Sequence, residues 1–265
     1  MNNYFFKSSC LLALMSVSKI FAQEEQTLKS HNVRVVFDFG VNAPGCNMNR
    51  PERIRQNYDS KESFSLSTSY IGVKSEIFIF RNRLGIAPGV RFVSATSSIT
   101  SGNDNFLWKM REDGWNTDYV KINKIRQQVH LLSIPLEMRF FLNDRDLPFQ
   151  TYVKVATSLN YRFRSKDAVI DFTNAMMEKF SKEVLAQIPK GNTFSSFFYC
   201  ALGFKIGRFM EGSRSSWVNF EFQYPYMLLT DNSFAFVNKK NKCSGVGIQL
   251  SFDFPIGKVV PIGSK

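Results

Sequence analysis

The segment from Gly245 to Phe254 alternates strictly between bulky apolar residues and polar or small ones. One face would carry the apolar residues Val246, Ile248, Leu250, Phe252 and Phe254. A period of two is typical of a β-strand with one apolar face. Small residues and isolated charges suit a narrow interior, whereas bulky apolar side chains suit lipid. We therefore predict that the apolar face of this strand contacts a membrane.

Seven further segments show the same alternation, so the chain is expected to contain eight strands. Their approximate ranges are 33–41, 64–80, 84–96, 125–142, 149–163, 193–208, 216–227 and, for the terminal strand, 245–254. The connections alternate between long and short, and the short ones all fall on the side of the N-terminus. This arrangement is typical of outer-membrane barrels. The sequence predicts an all-β fold, an eight-stranded antiparallel up-and-down transmembrane β-barrel spanning 33–254.

Two predicted strands carry signs of irregularity, and one connection carries a helical pattern. A change of phase near Tyr70 and a proline at Pro135 each indicate a β-bulge or a break in pairing. In the third long loop, apolar residues recur at every fourth position, which predicts one amphipathic helix. They are Phe172, Met176, Phe180, Val184 and Ile188. This stripe would pack on the barrel's own rim, or cap the mouth, lie in the membrane interface or bind a partner.

The polar faces of the predicted strands collect twelve ionisable residues. They are Arg34, Asp38, Lys74, Glu76, Arg91, Glu137, Arg139, Lys154, Arg162, Lys205, Glu221 and Asp253. An eight-stranded barrel is only wide enough for side chains to fill it, and an unpaired buried charge is costly. We expect these residues to form a paired charge network that plugs the lumen. A narrow proton or ion path is the functional alternative.

The N-terminal residues have the features of a secretory signal peptide. Lys7 precedes a short apolar core, and Ala22 precedes a polar stretch, so cleavage is expected after position 22. The alternative is an apolar N-terminal helix of the folded body. Beyond this segment no apolar run approaches the ~20 residues of a spanning helix, so a membrane-resident chain would have to be a closed barrel. The expected division is 1–22 signal peptide, 23–32 lead, 33–254 barrel and 255–265 tail.

Cysteines and loop residues supply further candidates. Cys46 and Cys243 lie at the same rim beside the first and last strands, so a disulfide across the seam is one hypothesis and two free loop thiols the other. Cys200 should face lipid. Tryptophans and basic residues of the long loops could contact lipopolysaccharide phosphates or a glycan, or simply be solvated. They are Trp108, Trp115, Arg50, Arg53, Arg55, Lys239, Lys240 and Lys242.

Three stretches carry a resemblance to a known family: Leu132–Phe140, Leu84–Gly89 and the ending Gly247-x-x-Leu250-x-Phe252-x-Phe254. On these residues, positions 33–254 resemble the outer-membrane β-barrel proteins of the Bacteroidota, including those called PorT-like. The resemblance implies location in the cell outer membrane and contact with its lipid and lipopolysaccharide. It implies that Gly247, Leu250, Phe252 and Phe254 form a signal read by the barrel assembly machinery. It also fits a structural or interaction role with a secretion or envelope protein as partner, and it leaves open whether that role is accessory to secretion.

Catalytic motifs are missing from the sequence. His31 and His130 are the two histidines, and the chain has no G-x-S-x-G, no H-E-x-x-H and no phosphate-cradling glycine loop. We expect no enzyme activity, no metal, no cofactor and no nucleic-acid partner. Two other classes stay open. One is a secreted lipocalin-like carrier whose phenylalanine faces line a cavity for an apolar ligand, and the other is an enzyme with Asp, Ser and His residues converging at the rim.

Overall fold

The computed structural model describes residues 33–55, 62–79, 83–101, 106–113, 116–143, 149–207, 217–240 and 244–256. The expected signal peptide and lead, and the tail from residue 257, lie outside these ranges. The described strands are β1 (Val33–Pro44), β2 (Cys46–Met48), β3 (Ile54–Arg55), β4 (Glu62–Ile79), β5 (Leu84–Ser101), β6 (Phe106–Asp113), β7 (Asn116–Phe141), β8 (Phe149–Ser165), β9 (Val169–Phe172), β10 (Phe194–Gly207), β11 (Trp217–Leu228), β12 (Val237–Lys239) and β13 (Gly245–Ile256).

Eight of these strands form a closed antiparallel barrel. Their order around the sheet is β7-β5-β4-β1-β13-β11-β10-β8, and β8 pairs with β7 to close it. The first and last strands of the barrel are neighbours, with Val33 opposite Ile256 and Pro44 opposite Gly245. Closure satisfies the backbone groups that an open sheet edge would leave unpaired. The predicted eight-stranded architecture is confirmed.

Burial alternates along the barrel strands with a period of two. On β8, Tyr152, Lys154 and Ala156 are buried, while Val155 and Leu159 are exposed on the outside. The same alternation runs along β7 from Leu131 to Phe141. In the middle of the barrel the inward positions are mostly polar, charged or small and the outward positions are bulky and apolar, whereas towards the two ends inward residues such as Leu131 and Phe141 are apolar. The alternation follows from successive strand side chains pointing to opposite faces of the sheet.

The bulge predicted near Tyr70 is wrong, whereas the irregularity predicted at Pro135 is confirmed as a break in pairing with β5. Tyr70 continues the inward row of β4, and β4 stays in register with β1 and β5 past it. The apparent change of phase arises because the outer half of this strand puts serines outside and apolar residues inside. Pro135 lies opposite Ser158 of β8 with the register unbroken. On its other side, the β5–β7 pairs stop at Leu136 and resume in the same register at Ser133, because Pro135 has no N–H to donate.

The β-bulges lie elsewhere. The β7–β8 register shifts between His130 and Leu131, and the β10–β11 register shifts beside Pro225, which has no N–H to donate. The second shift turns Tyr226 into the barrel, where it is 5% exposed, although the uniform alternation of the sequence predicts it outside.

The segment 97–124, predicted as a polar loop, instead extends the barrel sheet. β5 and β7 continue beyond the barrel, and β6 forms a hairpin with β7 that is flanked by β3 and β9. Phe106, Trp108 and Ile122 have no exposed surface. Within this mostly polar segment, apolar and polar residues alternate over short stretches, as in a β-strand. These stretches form the sheet because their apolar residues pack against the helical segment described below. We call this region the outer extension.

The helical segment is shorter than predicted and consists of two parts. A 3₁₀ segment covers Ala175–Phe180, and the helix α1 covers Ser181–Gln187. Phe172 belongs to β9 instead. Val184 and Ile188 are buried against the apolar side chains of the outer extension, so this part of the stripe packs on the chain's own rim, whereas Met176 is exposed. No helix among the described residues is long and apolar enough to cross a membrane.

Candidate functional site

Glu137 lies at the centre of the lumen and contacts four cations. Its carboxylate oxygens lie 2.8 Å from Lys74 Nζ, 3.2 Å from an Nη of Arg139 and 3.4 Å from Lys154 Nζ. Arg91 pairs with it from the neighbouring strand β5. Glu137 has no exposed surface. A carboxylate buried this deeply is stable as an anion only when such partners compensate for its lost hydration.

From Glu137 the ion pairs continue towards the long-loop end of the barrel. Asp38 on β1 accepts a hydrogen bond from Arg91 Nε at 2.7 Å and lies 3.0 Å from Lys74 Nζ. The guanidinium of Arg91 lies over the ring of Tyr70, 4.4 Å from its centroid. Asp38 thus joins β1 to both β4 and β5 through side chains, in addition to the backbone pairing.

A second series of ion pairs runs from Glu137 towards the short-turn end of the barrel. Arg139 lies 3.2 Å from Glu221 and 2.9 Å from Glu76. Lys205 Nζ lies 3.0 Å from Glu76 and also pairs with Asp253. Arg34 ends the series, with Nη1 3.9 Å from Asp253. The guanidinium of Arg34 lies 5.3 Å from the Phe78 ring centroid and 5.5 Å from that of Trp217.

Eleven of the twelve ionisable residues predicted for the lumen lie in this continuous network. Six are cations, Arg34, Lys74, Arg91, Arg139, Lys154 and Lys205, and five are anions, Asp38, Glu76, Glu137, Glu221 and Asp253.

Arg162 lies apart from the network, in contrast to the prediction. It occupies the last inward position of β8 before the bulge, at the mouth, and donates to the carbonyl oxygens of Gly191 (2.6 Å) and Ser233. No carboxylate among the described residues pairs with it.

Phenol and amide groups complete the network, and the sequence reasoning missed them. Tyr199 donates its hydroxyl to Glu137 at 2.9 Å, and Tyr152 donates to Glu221 at 2.6 Å. Tyr70 donates to Gln249 at 2.7 Å. All of these side chains share the inward parity of the charged residues, which is the sequence signal that could have found them. Residue type alone does not reveal them, because a tyrosine suits a lipid-facing position as well as an inward one where its hydroxyl meets a buried carboxylate.

The loop between β11 and β12 closes the mouth above the charges. Phe234, Ala235 and Phe236 in this loop are buried, and Phe234 contacts inward residues of the barrel strands. The ring centroids of Phe197 and Phe234 are 6.1 Å apart. We call residues 230–238 the mouth segment. Its other side contacts the outer extension through Phe236, so packed side chains fill the interior from the network to the outer extension.

The outer surface of the barrel is an apolar belt. Ile134 is 57% exposed and Leu159 is 55% exposed, although neither has a polar atom in its side chain. Aromatic rings pair across the surface, with the Phe37 and Phe254 centroids 5.8 Å apart. The bulky apolar faces therefore do not line an internal cavity. This sidedness is the reverse of the arrangement that a lipocalin-like carrier requires.

The proposed assembly residues lie in β13. Leu250 and Phe254 are exposed in the apolar belt and Phe252 is half-buried, while Gly247 faces inward. β13 pairs with β1 on one side and with β11 on the other. These four residues therefore belong to the strand that closes the barrel.

Several loop residues that could have met a ligand are engaged within the chain. Trp108 is buried and donates its Nε1–H to Gln187 at 2.8 Å, so the expectation that it contacts a glycan or phosphate is wrong. Arg50 lies 2.9 Å from Glu62, and Lys239 lies 2.9 Å from Asp231.

Arg53 likewise donates to the carbonyl oxygens of Lys109 and Met110 at 3.3 Å. Lys240 is half-buried. Trp115 and Lys242, and the side chain of Arg55, lie outside the described residues.

The two rim cysteines differ in what the structure describes. Cys46 is buried in β2, opposite Lys239 of β12, and forms no disulfide with another described residue. Burial raises the pKa of the Cys46 thiol to about 11. Cys243 lies outside the described residues, so the disulfide stays a prediction. Cys200 is partly exposed on the outward face of β10.

The histidines give the rim-enzyme hypothesis no support in the described ranges. His130 lies on the outside of β7, stacked with Phe92 at 5.5 Å between ring centroids. His31 lies outside the described residues. Among the described residues, no group of three or more His, Cys, Asp or Glu side chains could hold a metal ion.

Together these features define a closed eight-stranded antiparallel β-barrel with a filled, charged lumen and an apolar exterior. The fold is similar to the crystal structure of the N-terminal β-barrel domain of Pseudomonas aeruginosa OprF. The match has 10% sequence identity and a TM-score of 0.32, and it covers 86% of this chain and 100% of that domain. No family model matches the sequence, and no curated protein matches it.

Proposed function

We propose that this chain is an outer-membrane protein that crosses the lipid as a β-barrel. The observation that carries the proposal is the sidedness of the closed sheet. Ionisable side chains point inward and are paired there, while large apolar side chains such as Ile134 and Leu159 are exposed outside. An aqueous environment would penalise this exterior, whereas hydrocarbon favours it. Closure of the sheet supplies the internal hydrogen bonding that a membrane-spanning structure needs.

We further propose that the lumen is closed to solutes and that the protein has a structural or interaction role. The proposal that the lumen is closed is supported by the filled interior, in which the charge network lies below the apolar mouth segment. Arg91, Lys74 and Glu137 have almost no exposed surface, as expected if water does not pass them freely. Purified protein in a planar bilayer should show no stable solute-sized conductance. Reproducible channels of constant size would overturn closure of the lumen without affecting the membrane location.

Fractionation and folding together test the membrane location. The expressed protein should stay in the outer-membrane pellet through a high-pH carbonate wash and should require detergent for extraction. On a gel, the unboiled folded protein should migrate differently from the boiled one. Recovery of heat-sensitive, folded protein in the soluble fraction without detergent would favour the secreted carrier and would sink the proposal.

Surface labelling tests the orientation. In a background whose native cysteines are replaced by serine, Lys190→Cys lies beyond the long-loop end and Arg83→Cys at a short turn, and both positions are exposed. A membrane-impermeant maleimide applied to intact cells should label the first variant and label the second only after lysis. Equal labelling of both variants in intact cells would contradict the proposed orientation.

The finer proposal, a PorT-like protein accessory to secretion, is supported by the resemblance of Leu132–Phe140, Leu84–Gly89 and the terminal strand. Deleting the gene in the source organism should then reduce secreted protein, and the wild-type gene should restore it. Unchanged secretion would contradict the accessory role while leaving the barrel itself unaffected. Recognition by the barrel assembly machinery is tested separately by Phe254→Ser, which should lower the yield of membrane-inserted barrel relative to Leu229→Ser, an exposed residue outside the strands.

A further inference from the structure

The bulge between β7 and β8 turns two basic side chains out of the barrel row and onto its outer surface. Leu131 lies opposite Arg162 with both facing inward, but the next pair is His130 with Arg164. Phe163 is the extra residue, so Phe163 and Arg164 both face outward. The backbone N–H of Lys166 then donates to the carbonyl oxygen of Gln128 at 2.9 Å, which places Lys166 on the same outer face.

Arg126 completes a patch of three cations on this face. It lies on β7 two residues beyond Gln128, in the outward row that contains His130. Arg126, Arg164 and Lys166 are all exposed, and none of them makes an ion pair with another described residue. We call these three residues the basic patch. From His130 to Arg126 the strand rises roughly 13 Å, which long basic side chains can cover from both ends.

Nearby carboxylates do not cancel the charge of the basic patch. Asp171 lies across from Lys124 in the β7–β9 pairing, farther from the barrel. Asp167 follows Lys166 in the chain and is exposed. With one carboxylate next to three cations, the face stays positively charged.

An exposed aromatic cluster lies immediately below the basic patch, at the upper edge of the apolar belt. The ring of His130 is 5.5 Å from that of Phe92 and 6.3 Å from that of Phe163, and Phe92 and Phe163 are 5.6 Å apart. Phe92 is 44% exposed and Phe163 is 49% exposed. Cations above an apolar aromatic surface match an amphiphile whose charged group lies above its hydrocarbon chains.

The same height on a nearby face of the barrel carries no charge. Following the registers from β7 through β5 to β4, His130 aligns with Ser94 and Ser69, and Arg126 aligns with Ser98 and Ser65. The outer row of β4 at this level is therefore serine. At this height the outer face at β7 and β8 is therefore more positive than the outer face at β4.

We propose that the basic patch and the aromatic cluster bind an anionic lipid of the outer leaflet, with its phosphates on Arg126, Arg164 and Lys166. The acyl chains then lie along Phe92, Phe163 and the apolar belt below them. This inference rests on the proposed membrane location. The hydrogen bonds from guanidinium to phosphate are charge-assisted and bidentate, which makes arginine effective in such a site.

Binding of lipid A to the folded full chain in zwitterionic detergent tests the site. We compare wild type with R126Q/R164Q/K166Q and with K179Q/K182Q/K190Q, which removes the same charge from exposed lysines around the 3₁₀ segment and α1. Each cation at an anionic lipid surface contributes roughly a fivefold gain in affinity. The patch variant should therefore bind lipid A at least tenfold more weakly, while the control stays within twofold of wild type.

Two further arms separate the possible sources of the phosphate. Inorganic phosphate at millimolar concentration should displace lipid A poorly, because it has no chains to contact Phe92 and Phe163. Phe92→Ser/Phe163→Ser should weaken lipid A binding while leaving any weak binding of inorganic phosphate unchanged. If inorganic phosphate binds as tightly as lipid A, the ligand is a free anion and the lipid assignment is wrong.

Equal lipid A affinity of wild type and R126Q/R164Q/K166Q overturns the inference. Unboiled gel migration shows that each variant is folded before binding is measured. Because binding is measured in detergent, its failure leaves the membrane location standing. If the proposed membrane location is wrong, the fractionation would instead recover wild-type protein in the soluble fraction.

Discussion

The Glu137 carboxylate accepts a hydrogen bond from Lys74 Nζ at 2.8 Å, and the two residues belong to strands that are not neighbours in the sheet. β5 lies between β7 and β4, so this pair spans one strand inside the barrel. Glu137 also pairs with Arg91 on β5 and with Lys154 on β8. One carboxylate therefore links four consecutive strands through side chains, independently of the backbone ladder.

Glu137→Gln should destabilise the folded barrel by about 3–5 kcal/mol, the range for breaking a buried ion pair by removing one partner. The substitution keeps the shape of the side chain but leaves Lys74, Arg91, Arg139 and Lys154 with one fewer anion. Unfolding by urea in lipid vesicles, followed by the loss of the fast-migrating form on unboiled gels, measures the effect.

Glu178→Gln is the matched control for this substitution. Glu178 is exposed in the 3₁₀ segment and makes no ion pair with a described residue, so its loss should change stability by less than about 0.5 kcal/mol. If both variants unfold at the same urea concentration as wild type, the network does not stabilise the barrel and its charges have another role.

Leu136→Arg should destabilise the barrel in lipid by about 2–4 kcal/mol, the range for a cation on the lipid face near the bilayer midplane. Leu136 lies in the middle of the outward row of β7, between Ile134 and Met138, and is 49% exposed. On a water-soluble barrel the same change would be nearly neutral, because the side chain already faces solvent. The measurement is unfolding by urea in vesicles of defined composition.

Met176→Arg supplies the comparison for the lipid face. Met176 is 77% exposed in the 3₁₀ segment, outside the barrel strands, and we expect its replacement to leave stability within about 0.5 kcal/mol of wild type. Similar, small effects for both variants would indicate that Leu136 meets water, and the membrane proposal would then fail.

The barrel itself could be predicted from the sequence because each strand repeats one physical constraint. A residue that faces lipid must be apolar, and the next residue must fit a crowded interior. The residue types of Val153, Lys154 and Val155 therefore indicate which face of the strand each one occupies. Closure and antiparallel order followed from the alternation of short and long connections. The eleven network residues were identified by the same parity, since a charge on an inward position needs a partner.

Other features could not be predicted because they depend on contacts distant in sequence. The bulges at His130 and Pro225 shift registers by one residue, and only the partner strand shows where the extra residue lies. The outer extension forms a sheet because Trp108 packs in one apolar cluster with Val184 of α1. The two residues are distant in sequence, and the polar residues around Trp108 give no local sign of this packing. The role of Tyr199 could not be predicted because the carboxylate that accepts its hydrogen bond is 62 positions away.

Val184→Asp should detach α1 from the outer extension without unfolding the barrel. Val184 has no exposed surface and packs in an apolar cluster, so a carboxylate there would be buried without a partner. We expect limited proteolysis between residues 166 and 190 to accelerate by at least about tenfold, which corresponds to ~1.4 kcal/mol of local stability. The gel migration of the barrel should be unchanged.

Lys182→Asp introduces the same side chain at an exposed position of α1 and should leave the cleavage rate close to that of wild type. If Val184→Asp also lost the folded form on the gel, the expectation that α1 detaches without unfolding the barrel would be wrong. The outer extension would then be necessary for barrel stability.

The Cys46–Cys243 disulfide predicted from the sequence is open to a direct test. The chain leaves the β1–β13 ladder after Pro44, which lies opposite Gly245, and Cys46 pairs instead with Lys239 of β12. A bond between Cys46 and Cys243 would close a long loop and should stabilise the barrel by roughly 2–5 kcal/mol.

Folded protein is the wrong state for testing this disulfide, because burial raises the pKa of the Cys46 thiol to about 11 and a free thiol there would also react slowly. The test is alkylation of denatured, unreduced Cys200→Ser protein followed by intact mass measurement. The disulfide predicts no added label before reduction and two after it, whereas two labels without reductant would establish free thiols and remove the seam bond from the account of stability.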